Sequence, residues 1–315
     1  MLNIKLVKDF KKAKELAKEL APCGAIECEY GDNVLTEDYE GVEIAMYHHG
    51  KYSNNTPPSE RWDVYDKLDK GLDNFIISHI DLDTIIGIMW ASKILKPTSI
   101  AKEIGRLASI QDLKGFHYIE NEILNNLKPT IKYRFLGAGY IVSNIEIEKT
   151  NDIVIDVSRP IHKSILKIKD IIIEGVDEGL KNQVNKWLKE KELDALKYQV
   201  FFDEENSIRI FNADKNLLSA YTLDDKTSKI NIQYNCGNGS ITISTYNENI
   251  AKELFGENGV ITPLKEVFGE EAGGRISVGG TPRNKKYTFE DALKAYKHIK
   301  KKLNNSKKLI LNKIL

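Results

Sequence analysis

His79, Asp81 and Asp83 stand at every second position of the stretch Ser78-His79-Ile80-Asp81-Leu82-Asp83-Thr84. Residues two apart on an extended backbone project to the same side. One imidazole and two carboxylates projecting together make a mixed nitrogen and oxygen donor set. Such a set suits Mn²⁺, Fe²⁺, Zn²⁺ or Mg²⁺ better than a soft copper site. The same residues also fit a plain polar loop in which Asp83 caps a helix. The flanking sequence bears on the choice. Phe75-Ile76-Ile77 reads as a strand buried on both faces, of the kind found inside parallel sheets. Ile85 to Leu95 is long enough for a buried helix that begins near Asp83 or Thr84. The donors then lie at the carboxyl end of a strand, the edge where open α/β sheets bind ligands.

Other donors occur at comparable places. Val42 to Tyr47 reads as a strand and finishes in His48-His49-Gly50, in a chain with 6 His. The pair fits a surface loop, or it shares the sheet edge with His79. The helix predicted over Ser99 to Ile110 runs into Gln111-Asp112-Leu113-Lys114-Gly115. A carboxylate at a helix C-terminus opposes the macrodipole, so Asp112 needs a cation or a local salt bridge beside it. His117 follows closely, as an outer neighbour of such a site or a plain surface residue. Asp156 ends the strand-like Asp152 to Val157 and is a weaker sheet-edge candidate.

A second constellation lies near the C-terminus. Gly273-Gly274-Arg275 and Gly279-Gly280-Thr281-Pro282-Arg283 form a glycine-rich loop with two arginines. Glycines let a backbone approach a ligand closely and expose N–H groups. Arginine forks bind phosphate oxygens. Two tight turns with surface arginines would use the same residues. The repeated Gly-Gly with an arginine close behind favours a cradle for a phosphate or a nucleotide.

These residues need elements to position them. Residues 6–20 carry apolar side chains at helical spacing and predict an amphipathic helix. Ala25 to Tyr30 and Val42 to Tyr47 predict strands, and Ser53 to Glu60 a proline-restricted loop. Residues 119–128 and 161–195 predict helix, with strands at Lys132 to Phe135 and Asp152 to Val157 between them. From Gln199 the pattern changes to four short strands, QVFFD, SIRIF, INIQYN and SITISTY, followed by helices around 248–255 and 263–268 and from Thr288. The expected fold is α/β, with a parallel-sheet N-terminal domain (1–195) joined by a helical linker to a smaller α+β domain (199–315).

The 315 residues suffice for two domains. Lys+Arg and Asp+Glu are both 46, so no global positive field points to long nucleic acid. Three cysteines without metal-binding or redox spacing fit a reducing cytoplasm. Charges every few residues at the N-terminus argue against a signal peptide, and no apolar run reaches membrane-span length. A cytoplasmic protein without membrane partners is expected; a homodimer is possible.

Taken together, the motifs resemble a known family. Ser-His-Ile-Asp-Leu-Asp-Thr after a buried strand is similar to the first motif of the DHH phosphoesterase superfamily. Ile-Gln-Asp-Leu-Lys-Gly after a helix resembles that family's later aspartate motif. Ala-Gly-Gly-Arg-Ile-Ser-Val-Gly-Gly-Thr-Pro-Arg resembles the substrate loop of its DHHA1-type domain. The resemblance implies two ions, usually Mn²⁺, with Mg²⁺ or another divalent cation also possible. Their ligands would be His79, Asp81, Asp83 and Asp112. Gly273, Gly274, Arg275, Gly279, Gly280 and Arg283 would hold substrate. The family's Asp-His-His triplet is not found downstream. His48-His49 lies upstream and follows Tyr47. Either the strand order is rearranged so that the pair still reaches the site, or the motif is lost.

In the first case the expected activity is metal-dependent hydrolysis of a phosphodiester or phosphoanhydride in a phosphate-containing small molecule, such as a small nucleotide, or in a short single-stranded oligonucleotide. Asp81 would belong to the catalytic centre. His48 or His49 would complete the metal shell, His49 as a ligand, or protonate the leaving oxygen. In the second case the chain is a nucleotide- or phosphate-binding regulatory protein that has lost catalysis.

Overall fold

The computed structural model of the protein describes residues 1–148, 150–217, 220–282 and 285–314. The run Phe75-Ile76-Ile77, wholly buried, lies at the middle of a five-stranded sheet. Two units divide the chain, Met1–Leu113 with Ile123–Trp187, and Lys114–Glu122 with Leu188–Leu315.

The first unit contains β1 (Asn3–Val7), α1 (Phe10–Glu19), β2 (Cys23–Ile26), β3 (Glu29–Tyr30), β4 (Asn33–Val34), β5 (Val42–Met46), α2 (Val64–Lys67), β6 (Asn74–Ile77), α3 (Leu82–Ala91) and α4 (Ser99–Lys114). Past α5 (Phe116–Tyr118), which belongs to the second unit, it continues with α6 (Pro129–Ser143), β7 (Val154–Asp156) and α7 (Ser158–Glu174). α8 (Glu178–Tyr198) carries the chain from one unit to the other. The sheet order is β5-β2-β6-β1-β7, with the first four strands parallel and β7 antiparallel at the edge. All ten residues of α3 are buried, as the unbroken apolar character of Ile85 to Ala91 requires. Trp90, Phe75, Ile76 and Ile77 are fully buried, each contributing about 1.5–3 kcal/mol or more of apolar transfer.

Three expectations are corrected here. Residues 6–20 are not one helix. Asn3–Val7 forms β1, parallel to β6, and the helix starts only after Asp9, whose side chain accepts from Lys12 N at 2.8 Å. Lys132 to Phe135 is not a strand but lies within α6. Pro129 starts that helix, and it buries Phe135, Leu136 and Ala138 while packing against α7. Ala25 to Tyr30 is interrupted at Glu27, which adopts φ 54° and ends β2.

The second unit contains α5, β8 (Gln199–Asp203), β9 (Ile208–Ala213), β10 (Thr222–Leu223), β11 (Lys226–Thr227), β12 (Ile230–Asn235), β13 (Ser240–Thr245), α9 (Glu248–Phe255), α10 (Ile261–Phe268), β14 (Gly273–Gly274), β15 (Val278–Gly280) and α11 (Phe289–Ile314). Its six-stranded sheet runs β14-β15-β13-β12-β9-β8. Isoleucines at alternate positions (208 and 210, 230 and 232, 241 and 243) face one side. There they form a core with Phe255, Leu264, Ile299 and Leu303 from the three helices.

An acid-labile tie joins the last helix to the edge strand. Asp203 Oδ2 accepts from Tyr296 Oη at 2.7 Å and Lys300 Nζ at 2.9 Å. Although burial opposes it, these donors hold the Asp203 carboxyl down at about 2. Its ionised form therefore stabilises the fold above pH 4, and that contribution is lost as the pH falls from about 4 towards 2. Lys300 is partly exposed, so Asp203→Asn should cost only about 1 kcal/mol near pH 7 and little at pH 2. Urea unfolding at both pH values measures the difference; equal costs would remove the tie.

Candidate metal centre

Three neighbouring strands deliver their next residues to one place because they end in register. Ile26 of β2 pairs with Met46 of β5 on one side and Ile77 of β6 on the other. Just beyond lie Glu27, His48-His49 and His79. Glu27 N donates to Met46 O at 2.8 Å, and Ser78 Oγ donates to Glu27 O. The positive φ of Glu27 is uncommon for a residue with a side chain. The carboxylate it presents is fully buried. The histidine pair is fixed by Glu29, whose Oε1 accepts from His48 N and His49 N, both at 2.9 Å.

Two helices add carboxylates. Asp81 caps α3, accepting from Thr84 N at 2.7 Å, and Asp83 follows in the first turn. Asp112 comes from the last turn of α4. Glu27 Oε2 lies 2.6 Å from His49 Nε2 and 3.9 Å from His79 Nε2, and its Oε1 lies 3.4 Å from His48 Nε2. His48 Nε2 is 3.2 Å from Asp112 Oδ2 and 3.5 Å from Asp83 Oδ2. Asp112 Oδ2 is also 3.9 Å from His49 Nε2. Three overlapping donor groups result: Glu27, His49 and His79; His48, His49 and Asp112; Glu27, His48 and Asp83. Within each group the donor atoms lie within 4.8 Å of one another.

The electrostatics follow from burying acids beside imidazoles. Burial pushes the Glu27 carboxyl up to about 7, and it pushes Asp83 upward too. Burial would lower His48, but Asp112 and Asp83 outweigh it and raise the imidazole to about 10. His79 is raised to about 9 against the same penalty, chiefly by Asp81 at 3.2 Å. Glu27 raises His49. Both Glu27 oxygens, His48 Nε2, Asp83 Oδ2 and Asp112 Oδ2 are buried and make no hydrogen bond. The imidazoles these acids raise meet part of their charge, and a group of higher positive charge in place of the imidazole protons would meet it more fully. A divalent cation is such a group, and oxygen with imidazole nitrogen is a donor set such ions accept. The cluster could hold a metal ion.

The other residues singled out by the sequence lie as follows. Asp81 stands beside the cluster, paired with His79, and is in none of the three donor groups. Asp156 is not at this edge. Because β7 runs antiparallel, it lies beside Lys5 and pairs with it at 2.7 Å. His117 is not a surface residue. It is buried in the second unit, its Nε2 2.8 Å from Tyr246 O and its ring 4.5 Å from that of Tyr221. Gly273, Gly274, Gly279 and Gly280 pair in the β14–β15 hairpin. A side chain at 274 would come within 2.4 Å of Val278 O, so close strand approach is one reason for glycine there. Arg275 is exposed at the hairpin tip; Arg283 lies outside the described residues.

Glu27 and Glu29 were not anticipated. Their signal was present: a buried run, Cys23 to Ile26, followed by acids, as in the stretch before His79. It was hidden because Ala25 to Tyr30 reads as one continuous strand.

No family model matches the chain, and no curated protein matches it. Among solved structures, an uncharacterized protein from Helicobacter pylori G27 aligns over 85% of this chain and 76% of its own, at 13% identity and a TM-score of 0.21. A TM-score that low establishes no shared fold. Among the described residues, no helix is long and apolar enough to cross a membrane.

Proposed function

We propose that the chain is a divergent DHH/DHHA1-type phosphoesterase that uses two divalent cations, manganese first among them. It would hydrolyse a phosphodiester or phosphoanhydride bond of a small nucleotide or short oligonucleotide. The observation that carries the reading is the division of Glu27, with Oε2 toward His49 and His79 and Oε1 toward His48. A carboxylate that offers one oxygen to each of two donor groups suits a bridging ligand. It also answers the lost triplet: Tyr47 replaces the acid before the histidine pair, and Glu27 supplies one from the neighbouring strand.

Glu27, His49 and His79 would hold one ion, and His48, Asp83 and Asp112 the other. Bound cations of this kind lower the pKa of a water and neutralise charge on phosphoryl oxygens. Glu27, His48 and Asp83 are the inner wall, while the side chains of His49 (27% exposed) and His79 (40% exposed) meet solvent. A substrate therefore enters past His49 and His79, and His49 is better placed than His48 to protonate a leaving oxygen. Ser78 Oγ, 2.9 Å from Nδ1, orients the His79 ring, while Asp81 Oδ2 lies 3.2 Å from Nε2, the nitrogen that faces Glu27. In the second unit Arg275 offers an exposed guanidinium to a phosphate. Zero net charge favours a short substrate over long duplex DNA.

Chelator-treated protein should be inactive on cyclic dinucleotides and short oligonucleotides, and Mn²⁺ should restore hydrolysis. Mn²⁺ at about 100 times its Kd should also raise Tm by on the order of 5 °C, because the folded chain binds it and the unfolded chain does not. Protein whose Tm and product formation both ignore Mn²⁺ is not this enzyme. A raised Tm without product supports the binding protein instead.

A further inference from the structure

A one-turn helix of Pro58–Glu60 holds one of the candidate ligands from behind. Ser59 is fully buried in it. Its N–H donates to Asp83 Oδ1 at 3.2 Å, and its hydroxyl donates to the same oxygen. The hydroxyl oxygen also lies 2.7 Å from Gly105 O of α4, and Trp90 Nε1 of α3 donates to Ser59 O at 2.9 Å. Two glycines make room for the turn. A Cβ at 87 would come within 2.7 Å of Pro58 Cβ, and one at 105 within 2.3 Å of Ser59 O. The turn is thus seated between α3, which carries Asp83, and α4, which carries Asp112.

We propose that Ser59 is a positioning residue of the metal centre. It occupies Asp83 Oδ1, so that Oδ2, which makes no hydrogen bond, is the oxygen left for a cation. The seat formed by Gly87, Trp90 and Gly105 sets how far apart the helices bearing Asp83 and Asp112 stand. This rests on the reading of the cluster as a metal centre. The spacing Ser59 to Asp83 to Gly105 carries no motif, which is why the turn reads from sequence only as a proline-bearing loop.

The test is calorimetric titration of Mn²⁺ into the chelator-treated full-length protein. Partners that orient a metal ligand change affinity by about 10–100-fold, so Ser59→Ala should weaken the Mn²⁺ Kd about tenfold. The rate at saturating Mn²⁺ should fall less than the affinity does. Trp90→Phe keeps an aromatic ring but removes the donation to Ser59 O and part of the buried indole, so Tm should fall as well, and it should shift the Kd the same way by a few-fold. A residue that merely supports the fold would lower Tm and leave Mn²⁺ affinity alone, and that result in both variants overturns the proposal. Asp83→Asn separates the two levels. If it abolishes binding at one site while Ser59→Ala changes nothing, only the positioning role fails. If wild type and Asp83→Asn bind Mn²⁺ alike, the metal centre itself has been misread.

Discussion

Glu27→Gln should leave a folded protein that takes up one Mn²⁺ at most and hydrolyses substrate on the order of 10³-fold more slowly than wild type. The reason is the place of this carboxylate between two donor groups. A glutamine keeps the shape and one carbonyl oxygen, but it supplies no negative charge and cannot present an anionic oxygen to each side. The stability change should have the opposite sign in metal-free protein. Glu27 is fully buried, and burial pushes its carboxyl up to about 7 even with the His49 and His48 imidazoles beside it, so its charged form costs stability near pH 7. Neutralising a buried charge so placed should stabilise the chelator-treated protein by about 1–3 kcal/mol, while the gain in Tm from Mn²⁺ shrinks. Calorimetric stoichiometry, initial rates and melting with and without chelator measure all three quantities. Undiminished uptake of two ions would remove Glu27 from the centre and with it the bridging role.

What could be read beforehand was what repeats along the chain. The strand Phe75 to Ile77, the helix after it and the alternating isoleucines of the second unit are periodic, and periodicity survives without tertiary context. His79 and Asp83 could be singled out because their spacing is local. The meeting of His48-His49 with them depends on strand order, which puts β2 between β5 and β6. No local pattern states that order. β1 escaped because Leu6 and Val7 fit the apolar stripe of the helix that follows. The segment Lys132 to Phe135 misled because alternating large and charged residues suit a strand, whereas burial against α7 favours the helix. Glu27 escaped because one residue with positive φ ended a strand that propensity would have continued.

Asp81 and Asp83 look equivalent in the sequence, and their surroundings separate them. Asp83→Asn should be the more damaging by about two orders of magnitude in rate. Ser59 presents two donors to Oδ1 of residue 83, its N–H and its hydroxyl. An asparagine there must turn its carbonyl oxygen to those donors, which leaves its NH₂ group pointing where Oδ2 stood, toward His48 Nε2 at 3.5 Å. An amide NH₂ is no cation ligand, so the change removes a donor and puts a hydrogen-bearing group in its place. At residue 81 the side chain caps α3, a role asparagine fills as well as aspartate. What Asp81→Asn loses is the negative charge 3.2 Å from His79 Nε2, while Ser78 Oγ still holds the other ring nitrogen at 2.9 Å. Paired Mn²⁺ titrations and rates of the two variants decide the order. If Asp81→Asn proves the worse, then His79 and Asp81 hold the ion together, and the donor group of Glu27, His49 and His79 must be redrawn to include it.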